Sequence, residues 1–562
     1  MRDRLVRLAR LGLAAGAVEF ALRSAPEAGL SPLEQITFLT VAMAAGLVLL
    51  VVAAVSPKRF IGLGLGLTFA LHVCVNWRLE NAVNQPWSEV LAPLLALAVG
   101  AVMSGLALDR ILQKVERFAI PIAGLAAAAG LVLGMPPGAS SAEGPNLLLI
   151  TLDTTRADRL SPYGGPADTP HLQRLADEGV VFEQAIATAP LTEPSHLSIL
   201  TGLRTTTTGV LANGTPLGPQ PLFSTLLQED GARTGAVVSG FPLHSRWGWN
   251  QGFDVYDDDF GRVSGMHALS LVKAMEQVVL RTNLRERPGT GAVRRSTIFL
   301  NRYAEGRFFL WLHLFDPHAP YDRFDVSTAP TNGEPLDLPA WWPEAHRKVT
   351  DADWLVRAYD AELAHTDALV GQVLDQLPAN TLVIVVADHG ESLTEHGYLF
   401  EHGDHLYDPS LHVPLIVWWP EQVPAGVRVP CQVSTVDIAP TVAEWFDLTL
   451  DTHDGRSLAP RLDGDCSESP AVATTLGARH VDDPPVHTAV RTSEQKYIET
   501  TDGPLLFDLI ADPDELYPIQ DAALLDEGAA LLEVAVTGRS PVRQVEIDVL
   551  EAEALRALGY LD

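Results

Sequence analysis

Two acidic residues each close an unbroken apolar run, and together they could hold a metal ion. The first run is Asn146 to Leu152 and ends at Asp153. The second is Thr381 to Ala387 and ends at Asp388, followed by His389 and Gly390. A continuous run of Leu, Ile and Val reads as a strand buried on both faces, as in a parallel sheet. A carboxylate at the carboxyl end of such a strand stands where open α/β sheets bind their ligands. Carboxylate oxygens suit hard divalent cations, and the His389 imidazole shifts preference toward zinc or manganese, with calcium or magnesium still open. Taken singly, an Asp at a strand end reads better as a turn or helix cap. Two such ends, one followed by His-Gly, favour a metal.

Between the runs lies Thr192-Glu-Pro-Ser-His196 at the head of a helical pattern. A hydroxyl next to a divalent metal is a usable nucleophile near neutral pH, and the amides of a following helix favour an incoming anion. The plainer role for Thr192 is an N-cap. Ser195 is a rival hydroxyl and reads as a hydrogen-bonding residue of the first turn. His196 could bind the substrate anion or orient Thr192, and both stay open. After a strand-like stretch from Trp311 come Asp316, a candidate metal ligand, and His318. His313 alternates with apolar residues and reads as buried structure. In Glu395 to His405, several residues could bind metal or phosphate, while Glu401 and Asp404 read as solvated loop charges.

Elements must position these groups, and the wider chain supplies them. It has 562 residues, 47% of them hydrophobic, more than one ordinary domain needs. The mean hydropathy of +0.13 is high for a soluble enzyme. The excess gathers in residues 1–136, with candidate spans near Val6–Leu22, Ile36–Val55, Phe60–Trp77, Val90–Leu108 and Phe118–Met135. Spans of about 17 to 25 apolar residues suit a bilayer core. Arg7, Arg10 and Glu19 make the first span the weakest, and one cleaved signal peptide would not account for four more. Basic residues cluster before span one, at Lys58-Arg59 and at Arg110 to Arg117. The positive-inside rule then puts the amino terminus in the cytoplasm and everything after Met135 outside. The expected location is the cytoplasmic membrane, multi-pass, with an external catalytic domain.

Residues 137–144 read as a linker rich in Pro, Gly and Ser. From 145 to about 445, apolar runs alternate with helical patterns, including strands at Leu382–Ala387 and Val413–Trp418 and a helix over Tyr359–Leu377. That alternation predicts an α/β sandwich with a largely parallel central sheet. Residues 446–562 carry weaker strand signals. The formal charge of −31 argues against general nucleic-acid binding. Cys431 and Cys466 could bridge in an exported compartment or stay as thiols.

Six segments in this order resemble the sulfatase family of the alkaline phosphatase superfamily. They are the strand ending at Asp153, Thr169 to Pro190, the Thr192 segment, Trp311 to Tyr321, Ala387-Asp-His-Gly-Glu391 and Leu506 to Leu516. The resemblance implies the family's sandwich fold, a smaller carboxy-terminal subdomain, a metal held by Asp153, Thr192, Asp388 and His389, a substrate contact at His318, and a site position for catalysis and metal at His405. This chain departs from the family's pattern at four places. Thr154 stands where members often carry a second Asp. Thr192 stands where a Cys or Ser becomes formylglycine, which threonine cannot do. His196 replaces the motif arginine. No lysine occurs between Lys114 and Lys273 or between Lys348 and Lys496, where the family's two sulfate-binding lysines belong. Threonine at this position is similar to that of nucleotide pyrophosphatase/phosphodiesterases, lipoteichoic acid synthase and phosphoethanolamine transferases, which form a phospho-threonine intermediate. The expectation is a membrane-embedded, metal-dependent hydrolase or transferase acting on a small-molecule, lipid-linked or envelope ester, phosphoric before sulfuric. If Asp316 and His405 join as ligands, a second metal could replace the missing charge. The alternatives are a sulfuric ester hydrolase working without formylglycine and a degenerate binding scaffold.

Overall fold

Runs buried on both faces form the middle of the larger sheet. The computed structural model describes residues 140, 142–260, 286–477, 485–536, 540–543 and 555. Its strands are β1 (Asn146–Leu152), β2 (Val180–Ile186), β3 (Arg233–Val237), β4 (Val255–Asp257), β5 (Phe308–Leu314), β6 (Thr381–Ala387), β7 (His412–Trp418), β8 (Val427–Ser434), β9 (Ala471–Leu476), β10 (Val486–Arg491), β11 (Gln495–Glu499) and β12 (Leu505–Asp508). The eight-stranded sheet has the order β4-β3-β5-β1-β6-β7-β2-β8. Every residue of β1, β5 and β6 is buried, which is why these strands show no alternation in sequence. All neighbouring pairs run parallel except those of β7, which opposes both β6 and β2.

The helices that matter here are α1 (Pro170–Glu178), α2 (Thr192–Thr201), α3 (Phe223–Glu229), α4 (Gly289–Tyr303), α5 (Ala352–Leu374), α6 (Ile438–Trp445) and α7 (Ala522–Ala535). They pack in two groups, α1 with α4 and α5 through α5, and α2 with α3 and α6. The apolar spacing from Tyr359 belongs to α5, which begins at Ala352 because the Asp351 side chain accepts from Trp354 N.

The smaller sheet, β12-β11-β10-β9, is antiparallel. Val472, Val490, Tyr497 and Leu506 of this sheet bury one face with Leu532 of α7 and Val536 just past it. Both sheets lie in one compact unit, residues 139–258 and 285–562. A charged knot joins them. Lys496 Nζ on β11 lies 2.5 Å from Asp408 Oδ1 and 2.6 Å from Glu515 Oε1. Arg491 Nη2 lies 2.9 Å from Asp408 Oδ2. Cys431 and Cys466 are paired in a disulfide, with Cα atoms 5.4 Å apart. Among the described residues no helix is long and apolar enough to cross a membrane. The five expected spans and most of the expected linker lie outside the described residues.

Candidate active site

Strand register brings the two carboxylates together. β1 and β6 pair in parallel with Leu152 opposite Ala387, so the next residues, Asp153 and Asp388, emerge side by side. β5 flanks β1 with Thr151 opposite His313, and Asp153 N donates to Leu314 O at 3.0 Å. The His313 ring reaches Asp153 through Nε2, 3.1 Å from Oδ2. Both carboxylates are fully buried. Burial raises the Asp153 pKa well above the ordinary value, Glu391 adds to this, and a hydrogen bond from Thr192 opposes it. Asp388 is raised for the same first reason and then by Asp153.

α2 delivers the hydroxyl. Leu191 is extended and stands in the N-cap position without a side-chain cap, so Thr192 is the first helical residue rather than the cap. Every residue of α2 is buried. Thr192 Oγ1 faces Asp153 Oδ2 at 3.5 Å. The next residue fixes this turn through a reciprocal clasp. Glu193 N donates to Asn213 Oδ1 at 2.8 Å, while Glu193 Oε2 accepts from Gly214 N at 2.6 Å and from Thr215 N at 3.3 Å. Ser195 Oγ donates to Asp388 O at 2.5 Å and so ties α2 to the end of β6. His196 Nδ1 lies 2.7 Å from Thr192 O and must donate to it, because a carbonyl only accepts. His196 therefore braces Thr192. Burial, then His313, lowers its pKa well below the ordinary value, so it brings no charge to the place of the motif arginine.

The residues present fit a divalent cation. Asp153 Oδ1, Asp388 Oδ2 and His389 Nε2 are buried without a hydrogen-bond partner. In the trio Asp153, Asp388 and His389, one ligand atom from each lies within 4.8 Å of the others. His389 Nδ1 donates to Gly390 O at 2.9 Å, which leaves the Nε2 lone pair for a ligand, and burial keeps the ring neutral by lowering its pKa. Two carboxylates buried side by side with no cation would be costly to keep charged; a metal removes that cost. A second trio, His196, His313 and Asp388, is equally close. Ser239 N donates to His313 Nδ1 at 3.3 Å, so His313 Nε2 carries the proton and donates it to Asp153 Oδ2. His313 thus orients a ligand rather than acting as one.

Thr154, where the family often has an acid, turns the chain at a left-handed φ of 47°. Tyr359 of α5 braces that turn. Its hydroxyl donates to Thr154 O at 2.7 Å and accepts from Arg156 N at 3.1 Å.

A second imidazole group stands beside the trio. The His402 ring centre is 4.5 Å from that of His389 and 5.2 Å from that of His318. His402 Nδ1 lies 3.0 Å from Glu391 Oε1, and Tyr321 Oη donates to Glu391 Oε2 at 3.3 Å. Burial pushes the Glu391 carboxyl up to about 8. His318 Nδ1 donates to Ala319 O at 2.7 Å.

Two expected ligands stand apart from the trio. His405 is exposed, its ring 4.7 Å from Tyr398 and 5.8 Å from Tyr407, and His402 takes the place beside His389. Asp316 belongs to neither trio. It sits against the first residue of α4, where a Cβ on Gly289 would collide with its carboxylate, and burial raises its pKa against the opposing hydrogen bond from the Gly289 backbone. The reading also missed His313, Glu391 and His402 as site residues. Only His313 left a usable signal, since it lies opposite Thr151, two residues before Asp153, on the neighbouring strand.

Residues 145–448 match the Sulfatase family, and residues 394–536 match the family described as N-sulphoglucosamine sulphohydrolase, C-terminal. Arylsulfatase K of Gallus gallus is 28% identical over 438 residues, covering 68% of this chain and 79% of that protein. The phosphonate monoester hydrolase of Agrobacterium radiobacter superposes with a TM-score of 0.55 at 21% identity, covering 70% of this chain and 95% of that one. A structure solved in complex with D-glucosamine-2-N,6-O-disulfate as its substrate superposes with a TM-score of 0.56 at 20% identity, covering 70% and 97%. The two superpositions bear on the fold alone.

Proposed function

The chain belongs to the sulfatase family and is a hydrolase, and from that premise we propose that it cleaves phosphoric esters with Thr192 as its direct nucleophile. One observation carries the reading. Thr192 Oγ1 stands 3.5 Å from Asp153 Oδ2, and Asp153 belongs to a buried trio whose ligand atoms lack other partners. Asp153, Asp388 and His389 would hold the divalent cation, zinc or manganese by their donor types. When bound, that cation supplies positive charge against the incoming ester and eases ionisation of a neighbouring hydroxyl.

The remaining work falls to the chain. His196 and the Glu193–Asn213 clasp aim Thr192. Thr192 Oγ1 passes its proton to Asp153 Oδ2, which faces it at 3.5 Å, and bonds to phosphorus as the bond to the ester oxygen breaks. The leaving oxygen takes a proton from water, because the neutral His318 ring commits its one N–H to Ala319 O, and water later cleaves the phosphothreonine to restore the hydroxyl. A sulfuric ester is the second reading, favoured by the sulfatase names of the relatives. We further propose that the chain is anchored in the cytoplasmic membrane by its apolar first 136 residues. The catalytic unit would then face outside, where an oxidising compartment suits the Cys431–Cys466 bridge. A lipid-linked or envelope ester fits that placement.

The test is Thr192→Ala assayed on aryl phosphates, phosphonates and sulfates with metal content measured alongside. Turnover should vanish while metal stays, and the wild type should yield a phosphorylated peptide containing Thr192. A label on Ser195, or near-normal turnover by the variant, would end the nucleophile assignment. A sulfated adduct would select the second reading.

A further inference from the structure

The partners of Glu193 sit at the tip of a loop that has neither helix nor strand. Residues 209–217 are irregular, and their middle supplies Asn213 Oδ1, Gly214 N and Thr215 N to Glu193. Thr215 Oγ1 donates to Ala212 O at 2.7 Å and tightens the tip. Both ends of the loop meet one residue that follows α7 in sequence. Arg543 N donates to Gly209 O at 2.8 Å, and Arg543 Nη1 donates to Leu217 O. The residues leading to Arg543 lie along the approach to the loop. Ser540 N donates to Thr206 O at 2.9 Å, and Ser540 Oγ donates to Thr207 O at 2.7 Å. Gly209 suits this close passage. Its φ is 69°, and a Cβ there would stand 2.3 Å from Pro541 O.

A loop without a backbone ladder loses entropy when it is ordered, so bonds across its neck decide how firmly its tip is held. Arg543 bonds to both sides of that neck, one side through its main chain and the other through its half-buried guanidinium. Leu217 N keeps a further tie to Trp247 O at 2.8 Å, so loss of the guanidinium loosens the loop rather than releasing it. We propose that Arg543 is a positioning residue for the reaction. It staples the neck of the 209–217 loop, and the tip of that loop then grips Glu193 and holds the first turn of α2 with Thr192 aimed. The effect on rate rests on Thr192 as the nucleophile, but the staple itself can be read without turnover.

Arg543→Met removes the donor to Leu217 O, and Arg543→Lys keeps one. Hydrogen exchange should quicken several-fold in Arg543→Met over residues 210–217, where the Gly214 and Thr215 amides sit. It should stay near the parent's rate in Arg543→Lys, with β1 and β6 unchanged in both. Turnover should follow. In Arg543→Met, kcat should fall roughly two- to fivefold with KM and metal content held, and Arg543→Lys should restore it. Combining Arg543→Met with Glu193→Ala should be no slower than Glu193→Ala alone, because the staple acts through the clasp. Unchanged exchange over residues 210–217 would overturn the staple. Faster exchange with an unchanged kcat would overturn its positioning role, and so would a rate loss that adds fully to that of Glu193→Ala. Near-normal turnover by Thr192→Ala would sink the nucleophile while leaving the exchange rates readable, so the two claims fail separately.

Discussion

Two groups of buried carboxylates in this chain have opposite electrostatics. At the ends of β1 and β6, Asp153 and Asp388 are buried with oxygens that have no partner, and burial drives both pKa values up. At the junction of the two sheets, Asp408 is buried too. Burial opposes its charge there, but Lys496 and Arg491 outweigh it and hold the carboxyl far below the ordinary range. The junction carries its own cations and is closed. The strand ends carry none and are built to receive one. Burial alone does not separate the two groups; the resident counter-charge does.

The sharpest way to break this contrast is to remove an acid from the strand ends. Asp388→Ala should abolish bound metal and lower activity by about a thousandfold or more, with little loss of fold because no apolar cavity is left. Full metal occupancy in that variant, by elemental analysis, would refute the contrast. Next, Lys496→Met strips the junction of a cation. It should cost about 3 to 5 kcal/mol by leaving Asp408 and Glu515 underpaired, while metal per folded molecule is unchanged. Denaturant unfolding read beside metal content separates the two effects. Third, Glu193→Ala should lower kcat by roughly tenfold with KM and metal content held, because a nucleophile slightly out of place loses alignment. Glu193→Gln, which keeps an acceptor for Gly214 N, should recover most of it, and a loss confined to thermal stability would mean that the clasp has no part in aiming Thr192.

The smallest effect is a pH slope. Burial raises Glu515 from 4.5 to about 7, with Lys496 opposing and Asp408 reinforcing the shift. A carboxyl whose folded pKa is raised gives stability that is complete below its unfolded pKa and lost as pH rises through the folded value. The window is therefore about pH 4.5 to 7. Glu515→Gln should flatten the decline of the melting midpoint across that window. An unchanged slope would place the titration elsewhere.

The metal end was legible in sequence because two physical facts coincide there. A strand buried on both faces must be uniformly apolar, so the first charged residue after it marks the strand's end, and parallel register then sets two such ends side by side. That is why Asp153, Asp388 and His389 could be read with no structure. His402 could not. It lies three residues from His405 in a loop of irregular backbone, where His396 and Phe400 both adopt positive φ, so no periodicity says which side chain points inward. Asp316 misled for another reason. The helix end it packs against begins at Gly289, remote in sequence, and no local pattern could announce it. The outward face of β11, which carries Lys496, reads as an ordinary charged position until the sheets are joined.

The turn at Thr154 sets robustness against turnover. A branched residue in the left-handed region is held at a cost of roughly 1 to 2 kcal/mol, and glycine would relax there freely. The strain sits between Asp153 and the Tyr359 brace, so it is spent on keeping one metal ligand rigid. Heat-survival screening of random variants should then return Thr154→Gly, and those survivors should be slower catalysts than the parent. At this one position, selecting for endurance would select against use.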